Sequence, residues 1–163
     1  MIERRGQKTF NSQWGGAWTA IAFYNRATGE ETMALVKGAI DPSKPTLVRM
    51  HMLSIFPDVF GETGERDALV RRAMEVIGEE GSGVLVMLNR PSADYASRAM
   101  QGSASQASAE DSDETPVQRD YGGGAQILAE LGIREMMLLT NTHHALAALE
   151  GYGLSIVGER PID

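Results

Sequence analysis

The chain has 163 residues and carries 15 basic against 22 acidic side chains, a formal charge of -7. That acidic balance excludes a broad nucleic-acid footprint or attraction to an anionic membrane surface, and 42% hydrophobic with 23% charged residues is the composition of one globular domain rather than a disordered or fibrous chain. There is no cysteine, which excludes disulfides, thiolate zinc sites, iron–sulfur clusters and cysteine nucleophiles.

The first residues lack the apolar stretch of a signal peptide, and no apolar run approaches the roughly 18 residues that span a bilayer. The expectation is a soluble, cytoplasmic protein. Residues 1–15, with Arg4, Arg5 and Lys8, read as a linker or N-terminal flank, and 16–163 as the domain. Two strands open that domain, Ala17–Tyr24 and Thr32–Lys37, and the turn chemistry of Asn25–Glu31 between them predicts a hairpin. Pro42 and Pro45 interrupt the chain before a third strand, Thr46–Met52. Over Arg66–Glu80, Leu69, Ala73, Val76 and Ile77 fall at helical spacing, and Gly81 is placed to end the helix. Gly83–Leu88 is continuously apolar, as in a strand covered on both faces.

From 92 to 116 the chain turns Ser/Ala-rich and acidic. It carries too little apolar surface to offset chain entropy, so a long disordered loop is expected there. Gly122-Gly123-Gly124 then leads into a helix, Ala125–Leu131, followed by a strand, Met136–Thr140, a helix, His144–Glu150, and a strand, Leu154–Val157. The order predicts a mixed α/β (α+β) domain, β-rich at its N-terminal part and alternating helix with strand thereafter.

Several groups of residues carry possible chemistry. The triple glycine is either a nest of amides for phosphate or simply a tight turn before a helix, with no Lys-Ser/Thr after it as in a P-loop. His143 and His144 are adjacent and cannot face one way on a helix, so with His51 they make no three-histidine zinc site. Glu62, Glu65 and Asp67 are oxygen ligands for Mg²⁺ or, more simply, acids that complement a helix dipole. Arg119 beside Asp120 is an anion-holding or covalent group, or else a surface pair. Met136 and Met137 read as core filler.

Taken in order, Ala34–Gly38, Leu47–His51, Asp58–Gly61, Gly83–Leu88, Arg119–Leu128, Leu131–Ile133, Leu138–Asn141 and Leu149–Leu154 resemble the catalytic domain of GTP cyclohydrolase II, the zinc enzyme that opens GTP at the start of riboflavin synthesis. Ile2-Glu3-Arg4-Arg5 is similar to the junction that joins this domain to an upstream 3,4-dihydroxy-2-butanone 4-phosphate synthase domain in the fused enzymes. The resemblance implies a homodimer, GTP or another nucleotide as ligand, and a synthase domain in the same polypeptide. Its nucleotide-binding candidates are Arg49, Gly122, Gly123 and Thr140, and its catalytic candidate is Arg119, matched to the arginine proposed to form a covalent guanylyl link.

Departures from the family pattern fall where its chemistry resides. The family uses zinc and magnesium, and holds zinc with three cysteines spaced C-x10-C-x-C; those positions hold Ser54, Glu65 and Asp67, a harder and weaker donor set, so no cofactor is expected. The GTP-gripping loop after Leu88 is replaced by Asn89-Arg90-Pro91-Ser92-Ala93-Asp94-Tyr95, and the aspartate two residues before Arg119 by Val117. Packing residues match while chemical ones differ. The expectation is a degenerate, catalytically inactive domain that supports or regulates the synthase. An active cyclohydrolase with a rebuilt metal site and a nucleotide sensor without turnover are the alternatives.

Overall fold

The computed structural model describes residues 2–64, 66–88, 93–101, 116–141 and 152–162, with backbone alone for 116–121. Seven strands form one mixed sheet: β1 (Ile2–Ser12), β2 (Gly16–Asn25), β3 (Glu30–Lys37), β4 (Thr46–His51), β5 (Gly83–Met87), β6 (Glu135–Leu139) and β7 (Ser155–Arg160). Their order is β1-β2-β3-β5-β4-β6-β7. The β1, β2 and β3 wing is antiparallel and β3 runs antiparallel to β5, whereas β4, β5, β6 and β7 are mutually parallel. The helices are α1 (Ile55–Val59), α2 (Leu69–Glu80), α3 over 95–101 and α4 (Pro116–Glu130).

The hairpin expected from Asn25–Glu31 forms, with Asn25 opposite Glu30. Within the stretch read as a linker or flank, Ile2–Ser12 forms β1 and residues 13–15 turn into β2. Ile2 packs on one face of the sheet and Phe10 on the other, because a bulge between Arg4 and Gly6 inserts one residue and shifts the alternation of the strand. The basic residues do not simply solvate. Arg5 stacks 3.9 Å above the Tyr24 ring, and Glu3 accepts hydrogen bonds from both Arg5 and Arg26 at 2.8 Å.

Strands β4 and β5 lie at the centre of the sheet, and their side chains divide between two layers. Val48, Met50, Val84 and Val86 face α4, against Ala125, Ile127 and Leu128. Leu47 and Leu85 face α2, against Leu69, Ala73, Met74 and Ile77. Helix α2 ends as its sequence indicates: Gly81 turns left-handed at φ 91°, and its N–H donates to the Ile77 carbonyl at 3.0 Å.

Two expectations change. Within the stretch expected to be a disordered loop, 95–101 is helical, because Ala, Arg, Met and Gln are strong helix formers and Arg98 reaches back to the Asp94 carboxylate at 2.9 Å; residues 102–115 lie outside the described residues. Secondly, α4 begins at Pro116 and passes straight through Gly122-Gly123-Gly124. Its apolar face, continued by Ala125 and Leu128, is held on the sheet by burial that overrides the low helix propensity of glycine. The expected helix His144–Glu150 lies outside the described residues. Among the described residues no helix is long and apolar enough to cross a membrane.

Candidate functional site

Strand β4 leads to α2 on one face of the sheet, while its neighbour β5 leads to α4 on the other. Where the connections of adjacent parallel strands diverge, a crevice opens beyond their C-terminal ends, and ligands of open α/β sheets bind there. His51 is the last residue of β4 and stands at that point.

The strand's alternation sends Arg49 and His51 toward the α2 face. His51 is 0% and Arg49 8% exposed. Arg49 Nη2 lies 3.1 Å from His51 Nδ1, and an arginine only donates, so Nδ1 accepts and the ring proton is on Nε2. That proton is donated to Asp58 Oδ2 at 2.8 Å. The Asp58 side chain is 2% exposed, and the same oxygen accepts from the Ser54 N–H at 2.8 Å. The short helix α1 makes this possible, carrying Asp58 back beneath the strand end. Arg49 Nη1 also donates to the Leu139 carbonyl at 3.4 Å, tying β4 to β6.

Burial, the largest cause, pushes the His51 pKa down from its usual 6.5; the hydrogen bond to Asp58 opposes this, and the charges of Arg49 and Arg66 add to it. The imidazole is therefore held neutral, in one tautomer, between a cation and an anion. Such a group is built to stay in place. Arg66 approaches from the loop before α2, where its Nη2 donates to the Met52 carbonyl at 2.7 Å.

The structure separates the sequence candidates. Arg49 lies on the α2 face, whereas Gly122, Gly123 and Gly124 lie in α4 on the opposite face, Gly124 against Met50 and Leu88. Arg49 and the glycine run thus stand on opposite faces of the sheet. Side chains alternate across a strand, and the amides of mid-helix glycines already bond within the helix. Thr140 sits just past the C-terminal end of β6, its N–H donating to the Arg160 carbonyl at 2.9 Å, and Asn141 Oδ1 accepts from the Ile162 N–H at 2.9 Å. Arg119 is in the first turns of α4, with its side chain outside the described residues, as are Glu65, His143 and His144. Met136 is fully buried, as core filler should be. Sequence reasoning missed Asp58 and Arg66 as partners of the strand end, because the chain leaves the strand after His51 and no single periodic element connects it to either residue.

Fold and site together define a mixed α/β domain that gathers its polar side chains at the C-terminal edge of four parallel strands. The chain belongs to the GTP cyclohydrolase II family, whose model matches residues 3–161. It is 38% identical over 165 residues to the monofunctional riboflavin biosynthesis protein RIBA 2, chloroplastic, of Arabidopsis thaliana, covering 99% of this chain and 34% of that protein. It is 37% identical over 161 residues to a protein of Photobacterium phosphoreum named 3,4-dihydroxy-2-butanone 4-phosphate synthase, covering 96% of this chain and 42% of that one. The fold is also that of RibBX, a two-domain 3,4-dihydroxy-2-butanone 4-phosphate synthase from A. baumannii, with a TM-score of 0.63, 22% identity, and coverage of 98% of this chain and 40% of that one. The chain thus spans about two-fifths or less of the length of these relatives.

Zinc is the metal the resemblance implies, and at the positions matched to its thiolates the chain offers a hydroxyl and two carboxylates, Ser54, Glu65 and Asp67, a harder donor set. The Ser54 backbone is engaged by Asp58 on both sides, its N–H donating to Asp58 Oδ2 at 2.8 Å and its carbonyl accepting from the Asp58 N–H at 2.9 Å. The Asp67 carboxylate faces the Arg72 guanidinium at 3.4 Å. No three His, Cys, Asp or Glu side chains converge among the described residues.

Proposed function

We propose that this chain is a GTP cyclohydrolase II-type domain of riboflavin biosynthesis that does not open GTP and serves as a structural, dimerisation or regulatory module for a 3,4-dihydroxy-2-butanone 4-phosphate synthase domain in the same polypeptide. One observation carries the reading: the positions at which the family keeps its zinc thiolates hold Ser54, Glu65 and Asp67, in a chain without a single cysteine. Opening a purine ring by hydrolysis needs an activated water, and three soft anionic ligands are what keep zinc in place to supply it. Asp67 is engaged by Arg72, and His51 is buried and locked by Arg49 and Asp58, so neither replaces a lost ligand. A synthase partner is supported by the Photobacterium relative, which carries this domain within a longer chain and takes its name from the synthase.

The test has two arms. Purified protein incubated with GTP, Zn²⁺ and Mg²⁺ is expected to release no formate above the buffer blank, and chromatographically detected pyrimidine product would overturn the inactive reading. Deleting this domain from the polypeptide that carries the synthase is expected to change synthase activity or oligomeric size. Unchanged values for both would end the module reading.

A further inference from the structure

The segment from 52 to 68 joins the end of β4 to α2, and it begins well anchored. Asp58 ties its first half to His51 and Ser54, and Glu62 N–H donates to the Phe56 carbonyl at 2.9 Å. Beyond that the chain runs exposed through Phe60, Gly61, Glu62, Thr63 and Gly64. Helix α2 then starts without help, for its N-cap is Ala68, left-handed at φ 52°, with no side-chain capping bond. Such an opening is strained for a residue with a Cβ and leaves the first amides of the helix without a side-chain acceptor. Something must hold the returning chain against the strand. The Arg66 guanidinium does so, its Nη2 donating to the Met52 carbonyl at 2.7 Å, while Arg72 Nη2 ties the start of the helix locally to the Asp67 carbonyl at 2.6 Å.

We infer that the guanidinium of Arg66 is the cross-link that closes the chain returning to α2 onto the end of β4, and that this fold stands without a metal. The chemistry suits the task. A guanidinium is permanently charged, rigid and planar, and it bonds a neutral carbonyl, whereas a zinc clip needs several anionic ligands. This inference concerns how the segment is held and does not depend on whether the domain turns over GTP.

The experiment is hydrogen exchange and thermal unfolding of the purified chain. Wild-type protein is expected to show the same Tm after exhaustive EDTA treatment and after addition of Zn²⁺, and a fall with EDTA or a rise with Zn²⁺ would overturn the inference. Arg66→Met is expected to lose at least about tenfold in amide protection over 53–68, the effect of removing one charge-assisted hydrogen bond, with β2, β3 and β5 unchanged. Wild-type protection over 53–68 in that variant would also overturn it. Should Arg66→Met fail to fold, Arg66→Gln, which keeps a donor but neither the length nor the charge, takes its place with the same two outcomes.

Discussion

His51 shows how a single side chain is committed by its neighbours. Its imidazole is fully buried, accepts from Arg49 at Nδ1 and donates to Asp58 from Nε2. Burial depresses its pKa below 6.5, so the folded state resists a proton that the unfolded chain accepts once the pH falls through that value. The unfolded state then binds more protons, and stability falls on acidification. The contribution is whole above about pH 6.5 and is lost as the pH drops toward the lowered folded value, with a slope of at most about 1.4 kcal/mol per pH unit for one proton. Urea unfolding between pH 5 and 7 checks this: His51→Gln, which keeps a donor for Asp58, is expected to flatten the slope. An unaltered slope would show that other groups set the acid response. The sequence pointed to His51 through its family match, but its tautomer and state are tertiary facts. Asp58 lies seven residues on and reaches the ring only because α1 folds back.

At the scale of elements, two helical glycines in similar settings are opposed in effect. Gly122 lies within α4 with nothing inside 4 Å of where a Cβ would stand, whereas a Cβ on Gly78 in α2 would meet the Gly15 backbone at 2.6 Å. Gly122→Ala is therefore expected to stabilise the fold by about 0.5–1 kcal/mol through helix propensity, raising Tm by about 1–4 °C. Gly78→Ala is expected to destabilise it despite the same gain, because a backbone contact between α2 and the β1–β2 turn has to open. Calorimetric melting of both variants decides, and equal signs would refute the packing argument. Read locally, three glycines look like a turn, and the sequence accordingly predicts a helix starting at Ala125. The helix continues through them because Gly124 allows α4 to lie close against Met50 and Leu88, and burial on the sheet outweighs glycine's local preference. A short helix at 95–101 was hidden in the same way, masked by the polar composition around it.

The whole molecule depends on strands brought together from distant parts of the chain. The central strand β5 pairs with β3 and β4, and β6 joins from the far side of β4, so neither core layer is complete until the crossovers are made. Strand β1 belongs to this architecture: Ile2 contributes to one core and Phe10 to the other, and it covers the edge of β2. Removing residues 1–12 is expected to lower Tm by about 5–10 °C, for the loss of two partly buried apolar side chains, and to promote association through the freed edge of β2. Melting and light scattering of the truncated chain test this; an unchanged Tm would return those residues to the status of a flank.

The sequence by itself determined the mixed α/β class, the hairpin, the amphipathic α2 with its glycine stop, the doubly covered β5, the absence of thiolates and the family match. Each is written in neighbours a few residues apart, through apolar periodicity, turn chemistry or residue type. Only the tertiary structure decided that β1 is part of the sheet, that Arg49 and the α4 glycines stand on opposite faces, and that Asp58 and Arg66 converge on the end of β4. Those outcomes depend on which strands become neighbours and which face each helix covers, and that is settled when distant segments bury a common surface.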